Sequence, residues 1–256
     1  MNNDAAHPPE ALPGPAEVLA RTPWSDLWHA MGPAADVPVN LAALLDPDRR
    51  RRTDALAFLN YVVHHQNTLY EATAPAAVYV AGILSDSRTT RPIDLGRHDP
   101  AGPLRAALLR WLGSVAAEAG DSAAEASRRH GFPPEEYPPF VETNRLLPQL
   151  FGAVCACLRD PDVTVREAAV AACVPLVDDA RLRRHRKELI PLVRGVLGAS
   201  ASWQYREQAI DALEEWGEDT AGIDGRGPWA FIDADVTPCS PGPARRHGGS
   251  ADQPPF

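Results

Sequence analysis

The chain has 256 residues, a formal net charge of −9 at pH 7 and a hydrophobic fraction of 45%. This charge argues against nonspecific binding to nucleic acid, because proteins that bind phosphates usually gather positive charge. No apolar run is long enough to span a membrane, and the N-terminus lacks a basic segment followed by an apolar one. We therefore expect a cytoplasmic protein without membrane contact.

Both ends of the chain are rich in proline and lack hydrophobic periodicity. Residues 1–21 and 237–256 are therefore predicted to be disordered tails. Between them we expect one repeat domain, at residues 22–236. At its start, Thr22 and Pro23 have the pattern of an N-cap followed by a first-turn proline, which predicts a short capping helix running to Trp28.

A motif recurs within this domain. An aspartate-proline turn is followed by an arginine six residues after the aspartate, and apolar residues then follow at spacings of four, seven and eleven. These spacings mark one face of an α-helix. The copies are Asp46 with Arg52, Asp99 with Arg105, Asp160 with Arg166, and Arg206, which lacks the aspartate-proline turn.

The residue before each arginine starts a second apolar stripe, so each helix has the broad apolar arc of a helix packed between neighbours. The side chains at the expected N-cap positions are Asp48, Asp162 and Ser202. Each arginine-led helix is paired with an earlier apolar run, and these runs begin at Pro38, Pro75, Pro148 and Pro191. Because stacked pairs bury one continuous core, the sequence predicts an all-α superhelix, a solenoid of about four helix pairs.

Two polar insertions interrupt the predicted repeats, at about residues 85–98 and 120–140. The second is rich in proline and aromatic residues. Ordinary repeat linkers are short, so segments of this length are places where a binding function could lie. They are equally compatible with having no function.

The segment from Asp160 to Ala169, with the sequence DPDVTVREAA, closely resembles the consensus of HEAT repeats, a family of the armadillo-type superhelical class. Looser copies extend the resemblance over about residues 37–216. In that family the turn aspartate and the helix arginine bond between successive repeats. The resemblance therefore implies that the aspartates and arginines of the recurring motif form a structural ladder and are not catalytic.

The nearest approach to a catalytic or metal-binding cluster is His64, His65, Tyr70 and Glu71. Adjacent histidines point in different directions, and the spacing is not that of a zinc motif, so we interpret these residues as capping a helix end. The four cysteines form no CxxC pair and are expected to be buried thiols. We therefore expect no enzyme activity, no cofactor and no metal.

Contacts with a partner are predicted at a set of aromatic, histidine and basic side chains. The basic members lie at the start of a helix, where positive charge opposes the helix dipole, so they are candidates for contact with an anionic partner. Plain solvation of these side chains is the favoured alternative. The two tryptophans in the set are equally compatible with the core. The full set is His65, Tyr70, Trp111, Arg183, Arg184, Arg186, Lys187 and Trp203.

The leading functional prediction is a monomeric, noncatalytic scaffold that binds another protein of unknown identity. One alternative is an immunity-type protein whose acidic surface at residues 211–219 neutralises a basic toxin. Less favoured alternatives are enzymes with a HEAT-like fold, namely a DNA glycosylase or a bilin-lyase-like protein. A glycosylase would need a basic surface, which the net charge opposes, so nucleic acid is not an expected partner.

Overall fold

The computed structural model describes residues 12–94 and 101–225, and these residues form an all-α fold, as predicted. Two-residue antiparallel pairings join β1 (Trp28–His29) to β2 (Gly32–Pro33) and β3 (Pro92–Ile93) to β4 (Gly102–Pro103). The α-helices are α1 (Pro15–Arg21), α2 (Val37–Ala43), α3 (Arg49–Phe58), α4 (Thr73–Ile83), α5 (Leu104–Ala117), α6 (Asp121–Arg129), α7 (Pro138–Cys155), α8 (Val163–Leu176), α9 (Arg186–Leu192) and α10 (Trp203–Glu215).

The helices pack in two rows around a continuous apolar core. In one row α5 lies between α3 and α8, and α8 contacts α10. In the other, α4 contacts α1, α2 and α7. Two π-helical segments, Leu59–Val63 and Val193–Leu197, continue α3 and α9. No helix in the described part of the chain is both long and apolar enough to cross a membrane.

The predicted apolar stripes are buried, which explains why these segments are helical. On α5, Leu108 and Leu109, one from each stripe, are both 0% exposed. The same holds on α8 for Ala169 and Val170. Burying a leucine or valine side chain completely stabilises the fold by about 1.5 to 3 kcal/mol. Both stripes of these two helices are therefore buried in the core.

Two of the three predicted N-caps make the expected hydrogen bonds. Asp48 accepts from the amides of Arg50 and Arg51, and Asp162 accepts from those of Thr164 and Val165. The N-cap hydrogen bond predicted for Ser202 is not formed. Ser202 stands at the N-cap of α10, but its hydroxyl donates to the side chain of Gln204 and caps no amide.

Two of the four helix-starting prolines lie elsewhere than predicted. Pro148 is inside α7, which begins at Pro138, and Pro191 is inside α9. A proline removes one interior helix hydrogen bond, so tertiary packing must outweigh that cost at both sites. The burial of Leu147 and Leu150 on either side of Pro148 supplies such packing.

The second insertion is not a loop. Residues 120–140 contain α6, a 3₁₀ turn at Pro134–Glu136 and the first turn of α7. The hydroxyl of Tyr137 donates to the carbonyl of Leu69, which ties this segment to the loop before α4. The first insertion contains a 3₁₀ turn at Ser87–Thr90 and β3, while its residues 95–98 and the ladder residue Asp99 lie outside the described residues.

The N-terminal prediction needs two corrections. The segment assigned to a disordered tail contains α1, whose Val18 is buried and which packs against α4. The predicted capping helix is only a 3₁₀ turn at Trp24–Asp26, in which Trp24 is 4% exposed, whereas Trp28 in β1 is 57% exposed. Residues 1–11 and 226–256, with the predicted C-terminal tail, lie outside the described residues.

The ladder arginines mostly bind the turn that precedes their own helix. In three units Nη1 donates to the two carbonyls that lie six and five residues earlier in the chain. The pairs of distances are 2.8 and 2.8 Å for Arg52, 2.8 and 2.9 Å for Arg166, and 2.7 and 3.1 Å for Arg206. Each arginine therefore satisfies carbonyls that its own turn would leave unpaired.

Arg105 is the arginine that reaches an aspartate of another unit. Its Nη1 lies 2.5 Å from Oδ2 of Asp160, and its remaining donors reach the Thr89 hydroxyl and the Asp86 carbonyl. The side chains of Arg105 and Asp160 are only 13% and 9% exposed. This pair has the arrangement that the HEAT resemblance implies, and it links the turn before α8 to α5.

Gly113 permits the close packing of α5 on α8. A Cβ atom at this position would lie 3.0 Å from the Cα of Ala172 and 3.3 Å from its Cβ. Contacts this short would require the neighbouring atoms to shift by a few tenths of an ångström. A residue without a side chain therefore fits best where these two helices cross.

We expect Gly113→Leu to lower the free energy of unfolding by about 1 to 3 kcal/mol or more, because the larger side chain overpacks the α5 and α8 contact. Gly152→Leu is the matched control, since Gly152 is exposed on α7 with open space around it. Leucine favours helix, so the control should be neutral or slightly stabilising. Urea denaturation measures both, and equal effects would contradict the packing assignment.

Arg105→Ala should cost about 3 to 5 kcal/mol of stability, because it leaves the poorly exposed carboxylate of Asp160 without its cation. Arg51→Ala is the control, since the Arg51 side chain is 72% exposed in its ion pair with Asp46. Exposed pairs contribute about 0 to 1 kcal/mol. A thermal melt that shifts equally for the two variants would show that the Arg105 pair does not stabilise the fold.

Candidate functional site

Two adjoining cavities open along the row that contains α3, α5, α8 and α10. One, of about 480 Å³, lies between α5, α8 and α10, and the other, also about 480 Å³, lies between α3 and α5. Arg110 and Ser114 of α5 line both. We call the first of these cavities the α8 cavity, the second the α3 cavity, and the two together the groove.

The floor of the groove is made of small side chains. Several of its lining residues present no atom beyond Cβ, which lets the backbone of a bound segment approach the helices closely. Bulkier side chains, among them Tyr61 and Val174, line the sides. The small residues are Ala57, Ala107, Gly113, Ala117, Ala171 and Ala172.

A hydrogen-bonded network lies behind Ser114. The Nε2 atom of His64 is 3.1 Å from the Ser114 hydroxyl, and its Nδ1 is 3.1 Å from the carbonyl of Thr68. Because a carbonyl only accepts, Nδ1 carries the proton and Nε2 accepts from the hydroxyl. Burial lowers the pKa of His64 below its ordinary value, although hydrogen bonding to the backbone of Thr68 and of Ser114 acts in the opposite direction. His64 is therefore a neutral imidazole that orients Ser114.

The segment that holds His64 is conformationally unusual. Gln66 and Asn67 both adopt positive φ angles, of 49° and 58°. Asparagine tolerates this left-handed conformation, whereas at glutamine it costs about 1 kcal/mol or more. The Ser114 hydroxyl also lies 3.3 Å from Oδ1 of Asn67, so its single proton can be donated either to that oxygen or to Nε2 of His64, and the strained turn also faces α5.

The pairing of Ser114 with His64 resembles part of a nucleophile and base arrangement, but the backbone around Ser114 offers no oxyanion donors. Ser114 lies within α5, where the neighbouring backbone amides are consumed by helix hydrogen bonds. An acyl-transfer site needs free donors aimed at the developing oxyanion. The described residues also contain no group of three or more side chains able to hold a metal ion.

Charges in the groove are unevenly paired. The carboxylates that line it have partners: Asp94 pairs with Arg49, Glu215 lies 2.9 Å from Arg186, and Asp178 accepts from the amide and the hydroxyl of Ser122. Arg110 is half-buried at the junction of the two cavities. It makes no hydrogen bond or ion pair within the described residues.

The α8 cavity also borders a buried hydroxyl. Tyr205, at the start of α10, lines this cavity, and its hydroxyl oxygen is inaccessible to solvent and without a hydrogen-bond partner in the described structure. Leaving a buried hydroxyl unsatisfied costs about 1 to 3 kcal/mol. Tyr205 belongs to the predicted second stripe of its helix, so its ring packs inward and carries the hydroxyl with it.

Three of the predicted contact residues near the groove are not free surface side chains. Trp111 is 2% exposed and its Nε1 donates to the carbonyl of Leu59, so it is largely buried, although it borders the α3 cavity. It lies in the apolar stripe of α5, where burial is the general outcome. His65 and Tyr70 are half-buried in the loop before α4. Trp203, at the start of α10, is 39% exposed.

The predicted basic cluster lies outside the groove and is largely paired within the chain. Arg183 lies 2.7 Å from Asp121, and Arg186 lies 2.9 Å from Glu215 and packs over the Trp216 ring. The Nη1 of Arg184 donates to the carbonyl of Arg181. Lys187 is exposed. These bonds hold α9 against its neighbours, so the cluster contributes to the packing of the domain.

Arg110 and Ser114 were not predicted to be functional residues, although their spacing from the ladder arginine could have identified them. They stand five and nine residues after Arg105. The same offsets from the other ladder arginines select further side chains, and all but one of them line the groove. Those that do are Ala57, Tyr61, Ala171, Pro175 and Glu215, and the exception is Asp211.

Comparison of the chain with models of protein families, with curated proteins and with solved structures found no match in any of the three.

The lowered pKa of His64 predicts a specific pH dependence. A histidine whose folded pKa lies below its unfolded value of about 6.5 contributes stability above pH 6.5, and that stability is lost as the pH falls through the folded pKa. We expect the free energy of unfolding to drop between pH 7.5 and 5 by less in His64→Gln than in the wild type. His130→Gln, at an exposed site, is the control and should retain the wild-type drop. Identical pH profiles for His64→Gln and the wild type would contradict this assignment.

Proposed function

We propose that this chain is a noncatalytic HEAT-like solenoid that acts as a monomer in the cytoplasm and binds a segment of another protein in the groove. The observation that carries the proposal is the groove itself. It runs past α3, α5, α8 and α10, its floor is made of small residues, and it contains both apolar and hydrogen-bonding side chains. Recognition sites for peptide segments combine these features.

The recurring arginine geometry supports the solenoid assignment. Arg52, Arg166 and Arg206 make the same two carbonyl contacts in three separate turns. Equivalent bonds at equivalent positions are expected of stacked structural repeats. The packing of α3, α5, α8 and α10 in chain order agrees with such stacking.

The enzyme alternatives have less support. Among the side chains that line the groove, one is an arginine and three are carboxylates, namely Asp94, Asp178 and Glu215. A site that holds a DNA duplex needs a positive surface to displace counterions. The groove has no such lining, and it offers no feature that favours a bilin pigment.

A second candidate function, neutralisation of a basic toxin, has one specific observation in its favour. On α10 and just after it, Asp211, Glu214 and Glu218 are exposed. They make no ion pair within the described residues, so this acidic surface could complement a cationic partner. The surface lies on the outer part of α10, and the groove does not include these three side chains.

The two candidates predict different crosslinks. A photoreactive benzoylphenylalanine in place of Ala117, which is exposed in the groove, should crosslink a partner in a lysate of the source organism. The same residue in place of Gly152, exposed on α7 with open space around it, should not. Circular dichroism of each variant verifies the fold, and mass spectrometry of the irradiated adducts identifies the partner.

Benzoylphenylalanine at position 214, on the acidic surface of α10, distinguishes the two candidate functions. Adducts through residue 214 but not 117, with a small basic protein, would favour the neutraliser and contradict groove binding. If positions 117 and 152 gave the same adducts, the groove would have no special role and the proposal would fail.

A further inference from the structure

We propose that the groove binds an extended peptide segment whose aspartate or glutamate side chain pairs with Arg110. This inference rests on the proposed function, since it takes the groove to be the site that receives a protein segment. It adds the chemistry of the residue that is recognised.

The carboxylates of the groove do not require a cation from a partner. Asp94 is paired with Arg49, and Glu215 is paired with Arg186. Asp178 is held by two hydrogen bonds from Ser122, with Arg186 at 3.9 Å. Their charges are thus already compensated within the chain, and a basic peptide would have to compete with these bonds.

Arg110 is in the opposite situation. It is the one cation that lines the described groove, and no acceptor within the described residues bonds to its guanidinium. A segment that fills the groove would remove water from this half-buried group. A charge that loses water without a partner costs several kcal/mol, so a stable complex must supply an acceptor there.

A carboxylate fits this requirement better than a phosphate. A carboxylate carries a single negative charge and matches one guanidinium in a two-bond arrangement. A phosphate carries about −1.5 to −2, and sites that bind it usually gather several arginines. Here the nearest groove charges are carboxylates, which would repel the second charge of a phosphate.

The position of Arg110 favours a side chain over a chain terminus. Arg110 lines both cavities, so free space extends from it toward α3 on one side and toward α8 and α10 on the other. A peptide that uses both cavities passes Arg110 in its interior. A terminal carboxylate at Arg110 would leave one of the two cavities unfilled.

The side chains on either side of Arg110 indicate what flanks the acidic residue. Tyr61, which is 67% exposed, lines the α3 cavity, and Val174 and Pro175 line the α8 cavity. Their apolar surface is suited to apolar residues on both sides of the acid. The chain as a whole has a charge of −9, which opposes a run of acidic residues, whereas one ion pair acts within the screening length of about 8 Å.

A display library of random 12-residue peptides, selected on the full-length protein, tests the inference. We expect enrichment of peptides with one aspartate or glutamate between apolar residues. Arg110→Glu should abolish this enrichment and favour lysine or arginine at the same place. Arg159→Glu makes the same change of charge at an exposed site outside the groove and should leave the selected motif unchanged.

One selected peptide then gives affinities by fluorescence anisotropy. Replacing the acidic residue of the peptide by asparagine or glutamine should weaken its binding to the wild-type protein about tenfold. The same replacement should have little effect on its binding to the Arg110→Ala variant, as expected for two groups that interact directly. Amidation of the peptide C-terminus should change nothing. Loss of binding on amidation, or a tenfold gain when phosphoserine replaces the acid, would overturn the inference in favour of a terminal carboxylate or a phosphate.

Ala117→Trp, which places a large side chain in the α8 cavity, separates this inference from the proposed function. The selected peptides could lose binding to this variant and yet show no preference for an acidic residue. That outcome would refute the role of Arg110 and leave groove binding intact. If no selected peptide were sensitive to Ala117→Trp, both the inference and groove binding would be refuted.

Discussion

The close contact between α5 and α8 is the constraint on which the groove depends. Gly113 lies so close to Ala172 that a Cβ atom would stand 3.0 Å from its Cα, so the two helices pack closely at this point. The α8 cavity is lined here by the small residues Gly113, Ala171 and Ala172. This close packing also fixes where the longer side chains of the same helix faces, Arg110 and Ser114, emerge. The polar chemistry of the groove therefore depends on an apolar packing contact directly beneath it.

Most of the fold could be predicted from the sequence because helix periodicity is a local property. The apolar spacings after Arg105 and Arg166 identify α5 and α8, and the aspartates at positions 48 and 162 cap their helices as expected. The errors arose where tertiary packing overrides a local preference. Pro148 is tolerated inside α7 since leucines on both sides of it are buried, and the segment that holds α6 gained its order from contacts that include the bond of Tyr137 to Leu69. Neither effect is visible in a short window of sequence.

The candidate site was less accessible to sequence reasoning. Trp111 drew attention as a large aromatic residue, yet it occupies a stripe position and is buried for that reason. Arg110 and Ser114 are ordinary residue types, and only their fixed offset from the ladder arginine marks them as lining the same face as Tyr61 and Pro175. The bond between His64 and Ser114 joins residues 50 positions apart, so no local pattern reveals it. The helix face that lines the groove could have been derived from the spacing of the repeat. The hydrogen bond between His64 and Ser114 depends on how two units pack against each other.

The self-contained turns have a consequence for how this chain can change in length. Arg52, Arg166 and Arg206 each satisfy carbonyls of their own turn, so a duplicated unit would arrive with its turn already complete. Genetic gain or loss of such a unit would extend or shorten the groove by one helix without rebuilding the turn itself. The bond of Arg105 to Asp160 is different, because it joins two successive units and fails if either is replaced by an unrelated copy. Arg52 and Gln208 also donate across unit boundaries, to the carbonyls of Pro92 and Ala171. A turn can therefore be copied together with its unit, whereas the bonds between units would have to be matched again at each new junction.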